Sequence, residues 1–175
     1  MNTYNKSYSH TGFCGSRSLS GPAAALCRSV SASLSASGSV VSVGCASGAD
    51  AAVRSAVPSA VVFSVASGLW GSGRAAYARR SAALVRSLPP GSAFVGFPAA
   101  PCPSGVVPAR SWCSGRPVSG SWSALALAAG LGLSVFVFGV PAPSLPAWPG
   151  SWSPVSAGPL GGSFSFSVPS QLSLF

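Results

Sequence analysis

Acidic side chains are almost missing from this sequence. Its 175 residues include one Asp, Asp50, and no Glu, one His, His10, and one Lys, Lys6. Each scarcity excludes something. A single carboxylate cannot form the acid/base pair of a glycosidase, nor an acidic cage for a divalent cation. A Ser–His–Asp triad would need His10 and Asp50 to meet, and the sequence has no Gly-x-Ser-x-Gly elbow. The five cysteines (14, 27, 45, 102 and 113) are odd in number and form no Cys-x-x-Cys pair, which argues against a disulfide framework and a zinc knuckle. The opening stretch, MNTYNKSYSH, has no apolar core, so secretion is not expected; free thiols in a reducing cytoplasm are. No cofactor or metal is called for.

What remains is basic and apolar. Charged residues make up 6% of the chain and hydrophobic ones 48%, with ten Lys and Arg giving a formal net charge of +9. That balance suits a polyanionic partner, nucleotide or nucleic acid above all, although a compositional bias toward Ser, Ala, Gly, Pro and Val would give the same excess. The length fits one domain with a real core. Residues 119–147 carry no charge and could be long enough to span a bilayer. Gly130-Leu131-Gly132, however, splits the run into a helix-like half and a β-like half, 134–138, so helix, turn and buried strand is the expectation, with no membrane.

The stretch Val40 to Asp50 organises the rest. A short β-branched run breaks into a Gly-bounded loop, and a small-residue helix then starts near Asp50. Strand, loop and helix in that order hold phosphates, because loop amides and a helix N-terminus supply donors and partial positive charge. An earlier companion is Gly12-Phe13-Cys14-Gly15-Ser16-Arg17. After a flexible arm, 1–9, strands are expected over 10–14, 40–43, 60–65, 93–97 and 134–138. Helices are expected from Ser20-Gly21-Pro22 to Gly38 (Leu26, Val30 and Leu34 forming its apolar face), over 49–56, from about 75 to 88, and from Ser121. The alternation implies an α/β fold: a Rossmann-like, doubly wound, mostly parallel sheet of about five strands spanning 10–140. A Pro- and Ser-rich extension, 141–175, contains the alternating run Ser163 to Val168. It reads as an added edge strand, or as a strand donated to another subunit in a homo-oligomer.

The order of these motifs resembles the SLOG superfamily, the Rossmann-like group that includes the DNA recombination-mediator protein A (DNA-processing protein A) family and the cytokinin-releasing phosphoribohydrolases. The matching features are Gly12-x-x-Gly15-Ser16-Arg17 and Gly44-x-x-x-Gly48-Ala49-Asp50. They are followed by Arg79-Arg80, expected to open a helix, and by Ser119-Gly120-Ser121 before the last helix and strand. The resemblance implies a nucleotide- or single-stranded-DNA-binding protein. The phosphoribohydrolases carry Pro-Gly-Gly-x-Gly-Thr-x-x-Glu where this chain reads Pro117-Val118-Ser119-Gly120-Ser121-Trp122-Ser123-Ala124-Leu125. Without that carboxylate, binding rather than hydrolysis is expected. The alternatives are a self-assembling structural protein that retains the fold, or a nucleotide hydrolase.

On this reading Gly12, Gly15 and Ser16 present amides to a phosphate and Arg17 adds a charged contact. Gly44, Ser47 and Gly48 form a second cradle, and Ser119, Gly120 and Ser121 a third. Asp50 either complements its helix dipole or bonds a ribose hydroxyl. Arg79, Arg80, Arg110 and Arg116 line a groove for nucleic acid, with Trp112 or Trp122 stacking on a base.

Overall fold

A computed structural model of the chain describes residues 7–113 and 119–168. The core is a parallel sheet of β1 (His10–Gly15), β2 (Val40–Gly44), β3 (Val61–Phe63), β4 (Ala93–Phe97) and β5 (Ser134–Val137). The helices are α1 (Gly21–Ala36), α2 (Ala49–Ala56), α3 (Gly73–Ser87) and α4 (Gly120–Gly130). Two further strands, β6 (Ser151–Pro154) and β7 (Phe164–Ser167), extend the sheet to the order β3-β2-β1-β4-β5-β7-β6. The first five strands pair in parallel; β7 runs antiparallel to β5, and β6 antiparallel to β7. This is the Rossmann-like, doubly wound arrangement expected from the alternation of elements.

Side-chain alternation along the central strands divides the interior into two layers. Ala93, Val95 and Phe97 of β4, with Phe136 of β5 and Phe138 just beyond it, meet α1 and α2. Phe94, Val135 and Val137 point the other way and meet α3 and α4. The face of α1 is Ala24, Cys27, Val30, Ser31 and Leu34, whereas Leu26, expected to join it, is exposed. Position 27 rather than 26 completes the helical stripe with 24, 30, 31 and 34. Helix α4 is apolar all round because it is covered all round: every residue from Trp122 to Ala129 is buried. The sheet lies on one side and α3 beside it, while the loop after β4 crosses it through the Ala109 amide, which donates to the Ala126 carbonyl (3.3 Å). Among the described residues no helix is long and apolar enough to cross a membrane.

Three expectations change. The third strand stops at Phe63, because Ser64 accepts a hydrogen bond from the Ala66 amide and starts a 3-10 turn over Val65–Ser67. The alternating run 163–168 does form a strand, but β7 is paired on both sides within the chain and is available neither as an edge nor as a donated strand. The edge beyond it is β6, unannounced in the sequence because Ser and Pro are poor strand formers; Pro154 is tolerated where a missing donor leaves no inner ladder broken. The extension is therefore built into the domain. Trp148 is buried against Trp122 and Phe166, and its indole N–H donates to the Val106 carbonyl (2.8 Å). All five cysteines are free. Burial pushes the Cys27 thiol up to about 12 and raises that of Cys14 well above its ordinary value, so neither is a ready thiolate near neutral pH.

Candidate nucleotide-binding cleft

The chain leaves β1 toward β2 on one side and returns to β4 on the other, so the strand order reverses between β1 and β4. In open α/β sheets the crevice beyond the C-terminal strand ends at that point is where ligands bind. A cleft of about 640 Å³ lies there, within the usual range of roughly 300–1,000 Å³ for a small-molecule site. Its rim is built from three segments. The turn after β1 brings Gly15, Ser16 and Arg17; the start of α3 brings Arg74 and Tyr77; the start of α4 brings Ser119, Gly120 and Ser121. Trp112 stands at the same opening.

The β1 turn is held by its own polar atoms. The Ser16 amide donates to the Phe97 carbonyl (2.9 Å), tying the ends of β1 and β4 together, and the Ser16 hydroxyl accepts from the Ser18 amide (3.2 Å). Arg17 is exposed, with its guanidinium carbon 4.3 Å from the centroid of the Tyr77 ring. The ring presets a flexible arginine over the cleft mouth at little further entropic cost. On the far side Ser119 caps α4, its hydroxyl accepting from the Trp122 amide (3.5 Å). Gly120 and Ser121 form the first turn of α4, where helix amides lack intrahelical partners and the helix dipole adds partial positive charge.

The second expected cradle is not a cradle. Gly44, Ser47 and Gly48 do not line the cleft. A Cβ on Gly44 would overlap the Arg80 guanidinium and the Asp50 carboxylate, so this glycine makes room for an ion pair. Gly48 has φ +66°, and its Cα lies so close to the backbone of Ser16 and Arg17 that a side chain would collide with it. The Ser47 hydroxyl donates to the Arg17 carbonyl (3.0 Å) and the Ala49 amide to the Ser16 carbonyl (2.9 Å). This loop is spent on supporting the β1 turn. Gly12 is likewise corrected: it lies inside β1, where a Cβ would come within 2.7 Å of Leu88 Cδ1 and Phe94 Cδ2, so it serves helix–sheet packing.

Asp50 and Arg80 form a buried pair rather than surface groups. Arg80 Nη1 donates to Asp50 Oδ2 at 3.2 Å, and the same oxygen accepts from the Ala46 amide at 3.1 Å. Asp50 is thus engaged with protein partners instead of being poised for a ribose. Arg80 is among the cleft-lining residues but is buried and not part of an exposed groove; with Arg79 it lies in the middle of α3 rather than opening it. Arg79 is exposed and donates to the Trp70 carbonyl (3.0 Å). Neither Arg79 nor Arg110 lines the cleft, and Arg116 lies outside the described residues, so the four arginines are not brought together. Trp122 is fully buried with its N–H on the Ala100 carbonyl (2.8 Å), so of the two tryptophans only Trp112 lines the cleft.

Sequence reasoning missed Arg74, Tyr77 and Ser123, which the fold adds to the lining. Only Arg74 carried a signal, following the Gly-rich loop 67–73 just as Arg17 follows Gly15. Among the described residues no group of three His, Cys, Asp or Glu side chains could hold a metal. Compared with protein-family models, curated proteins and solved structures, the chain matches none.

Proposed function

We propose that the protein binds a phosphate-bearing nucleotide in the cleft between β1 and β4, and binds it without cleaving it. The observation that carries this reading is the convergence of Arg17, Arg74 and the α4 N-terminus on one open cleft at the point of strand reversal. A phosphate placed between them would accept charge-assisted hydrogen bonds from the arginines and bonds from the α4 amides, the chemistry that anions find at helix N-termini. Asp50, the only side-chain carboxylate of the sequence, does not repel it, because Arg80 neutralises it. The same engagement supports binding over hydrolysis, since attack on a ribosyl bond calls for a carboxylate free to act.

The resemblance to the recombination-mediator family supports single-stranded DNA as a second ligand. A strand would offer its phosphates to the same rim, although the scattered arginines 79 and 110 favour a ligand the size of one nucleotide over a long track. Calorimetric titration with the four ribonucleoside monophosphates tests the reading. At least one is expected to bind, more weakly as salt rises, with Arg17→Ala losing roughly tenfold in affinity. No binding by any of the four, or equal affinity in the variant, would overturn it.

A further inference from the structure

Two of the five free cysteines, Cys102 and Cys113, share the loop after β4. That loop folds back on itself at residues 103–106, where the Val106 amide donates to the Pro103 carbonyl (3.2 Å) and Gly105 has φ +86°. Both thiols lie on this turn. Cys102 Sγ is 3.7 Å from the Val106 carbonyl oxygen, and Cys113 Sγ is 3.9 Å from the carbonyl oxygen of Gly105, one residue earlier. Both side chains are partly exposed, and sulfur hydrogen bonds of this kind are weak, so little holds the two thiols in place. They also feel each other: burial, and then the neighbouring Cys113, push the Cys102 thiol up to about 11 against a hydrogen bond to Trp148 that lowers it. The other cysteines are placed differently. Cys14 lies in β1, Cys27 is buried in α1, and Cys45 follows β2, its sulfur accepting from the Val65 amide (3.3 Å).

We propose that Cys102 and Cys113 are a reversible oxidation site, joined by a small-molecule disulfide such as oxidised glutathione, and that their bond staples the loop carrying Trp112 to the cleft. Cys102 stays protonated near neutral pH, and Cys113, whose thiol contact is the more exposed of the two, begins the exchange. The Cys113 sulfur attacks one sulfur of the glutathione disulfide. That bond breaks, a mixed disulfide forms on Cys113, and the first glutathione leaves as a thiol with the Cys113 proton. The Cys102 sulfur then attacks the Cys113 sulfur and displaces the second glutathione, which leaves with the Cys102 proton. Two protein thiols are oxidised to one disulfide, and one glutathione disulfide is reduced to two thiols. Trp112 immediately precedes Cys113 and lines the cleft, so the bond restrains that wall from the next residue along the chain. The site stands on the loop alone and does not rest on the nucleotide reading.

The test incubates the full chain with oxidised glutathione, blocks the remaining thiols with N-ethylmaleimide and maps the tryptic peptides by mass spectrometry without reductant. Arg110 lies between the two cysteines, so trypsin separates them and the bond appears as two peptides joined until dithiothreitol parts them. That joined pair is expected, with Cys14, Cys27 and Cys45 unlinked. The oxidised protein should melt roughly 5 °C above the reduced one, because closing the loop narrows the unfolded ensemble. Cys102→Ser should halt the reaction with glutathione on Cys113 and show no such rise. Alkylation of both thiols after oxidation, glutathione left on Cys113 of the wild type, or a bond from either cysteine to Cys14, Cys45 or a second chain would overturn the site. A joined pair with no rise in melting temperature would overturn the stapling of the loop.

Discussion

Asp50→Ala is expected to destabilise the fold by about 3–5 kcal/mol, measured as a lower urea midpoint with unchanged slope. The size follows from what is left behind. Arg80 is 5% exposed and has its Nη1 on the lost carboxylate, so the variant buries a guanidinium with no counter-charge. The Ala46 amide loses its acceptor as well. The effect is specific to breaking the pair. Replacing both residues, as Asp50→Ala with Arg80→Met, should recover much of the loss, because two buried charges and their desolvation disappear together. Asp50→Asn, which keeps an acceptor but not the charge, should fall between. A loss under about 1 kcal/mol in Asp50→Ala would show that the pair is solvated rather than buried.

Trp148→Ala is expected to cost a similar amount, about 3–5 kcal/mol, the usual penalty for emptying a large buried aromatic site. Trp148 is 4% exposed. Its ring stands edge-on to Trp122 (5.9 Å between centroids) and to Phe166 (5.2 Å), and lies 5.4 Å from Trp152. These contacts join the loop after β4, helix α4 and the two C-terminal strands, so the loss should appear in one cooperative transition. Trp148→Phe, which keeps an aromatic ring and gives up the bond to the Val106 carbonyl, should lose less. A separate early transition confined to the C-terminal segment would mean that 141–168 is an appendage.

The parallel α/β core was legible because its signals are local. The runs at 93–97 and 134–137 are short, β-branched and aromatic, Pro58 follows the end of α2, and Gly38 lies just past α1, so strand and helix limits come within a few residues of expectation. Other features were hidden because they depend on partners far along the chain. Asp50 and Arg80 are thirty residues apart, and nothing in Gly44-x-x-x-Gly48-Ala49-Asp50 says that its glycines leave room for a guanidinium and for the β1 turn rather than for a phosphate. Arg80 looked like one of several surface arginines because burial is not written into a basic residue's neighbours. Strand β6 escaped because Ser-Trp-Ser-Pro has the composition of a loop and pairs only once β7 is in place. The rim formed by Ser16, Arg17 and Ser119–Ser121 was visible as loop chemistry; its convergence at one cleft needed the strand order.

The most direct measurement is an amide-resolved NMR titration of the full chain with each of the four ribonucleoside monophosphates. Phosphate binding at the strand reversal predicts that the largest shifts fall on residues 15–17 and 119–121, with the Tyr77 ring moving as Arg17 turns toward the ligand. Shifts centred elsewhere, on the small cavity beside Tyr8 and Phe136 at the other end of the sheet or along the exposed β3 edge at Val61 and Val62, or none at all, would contradict it.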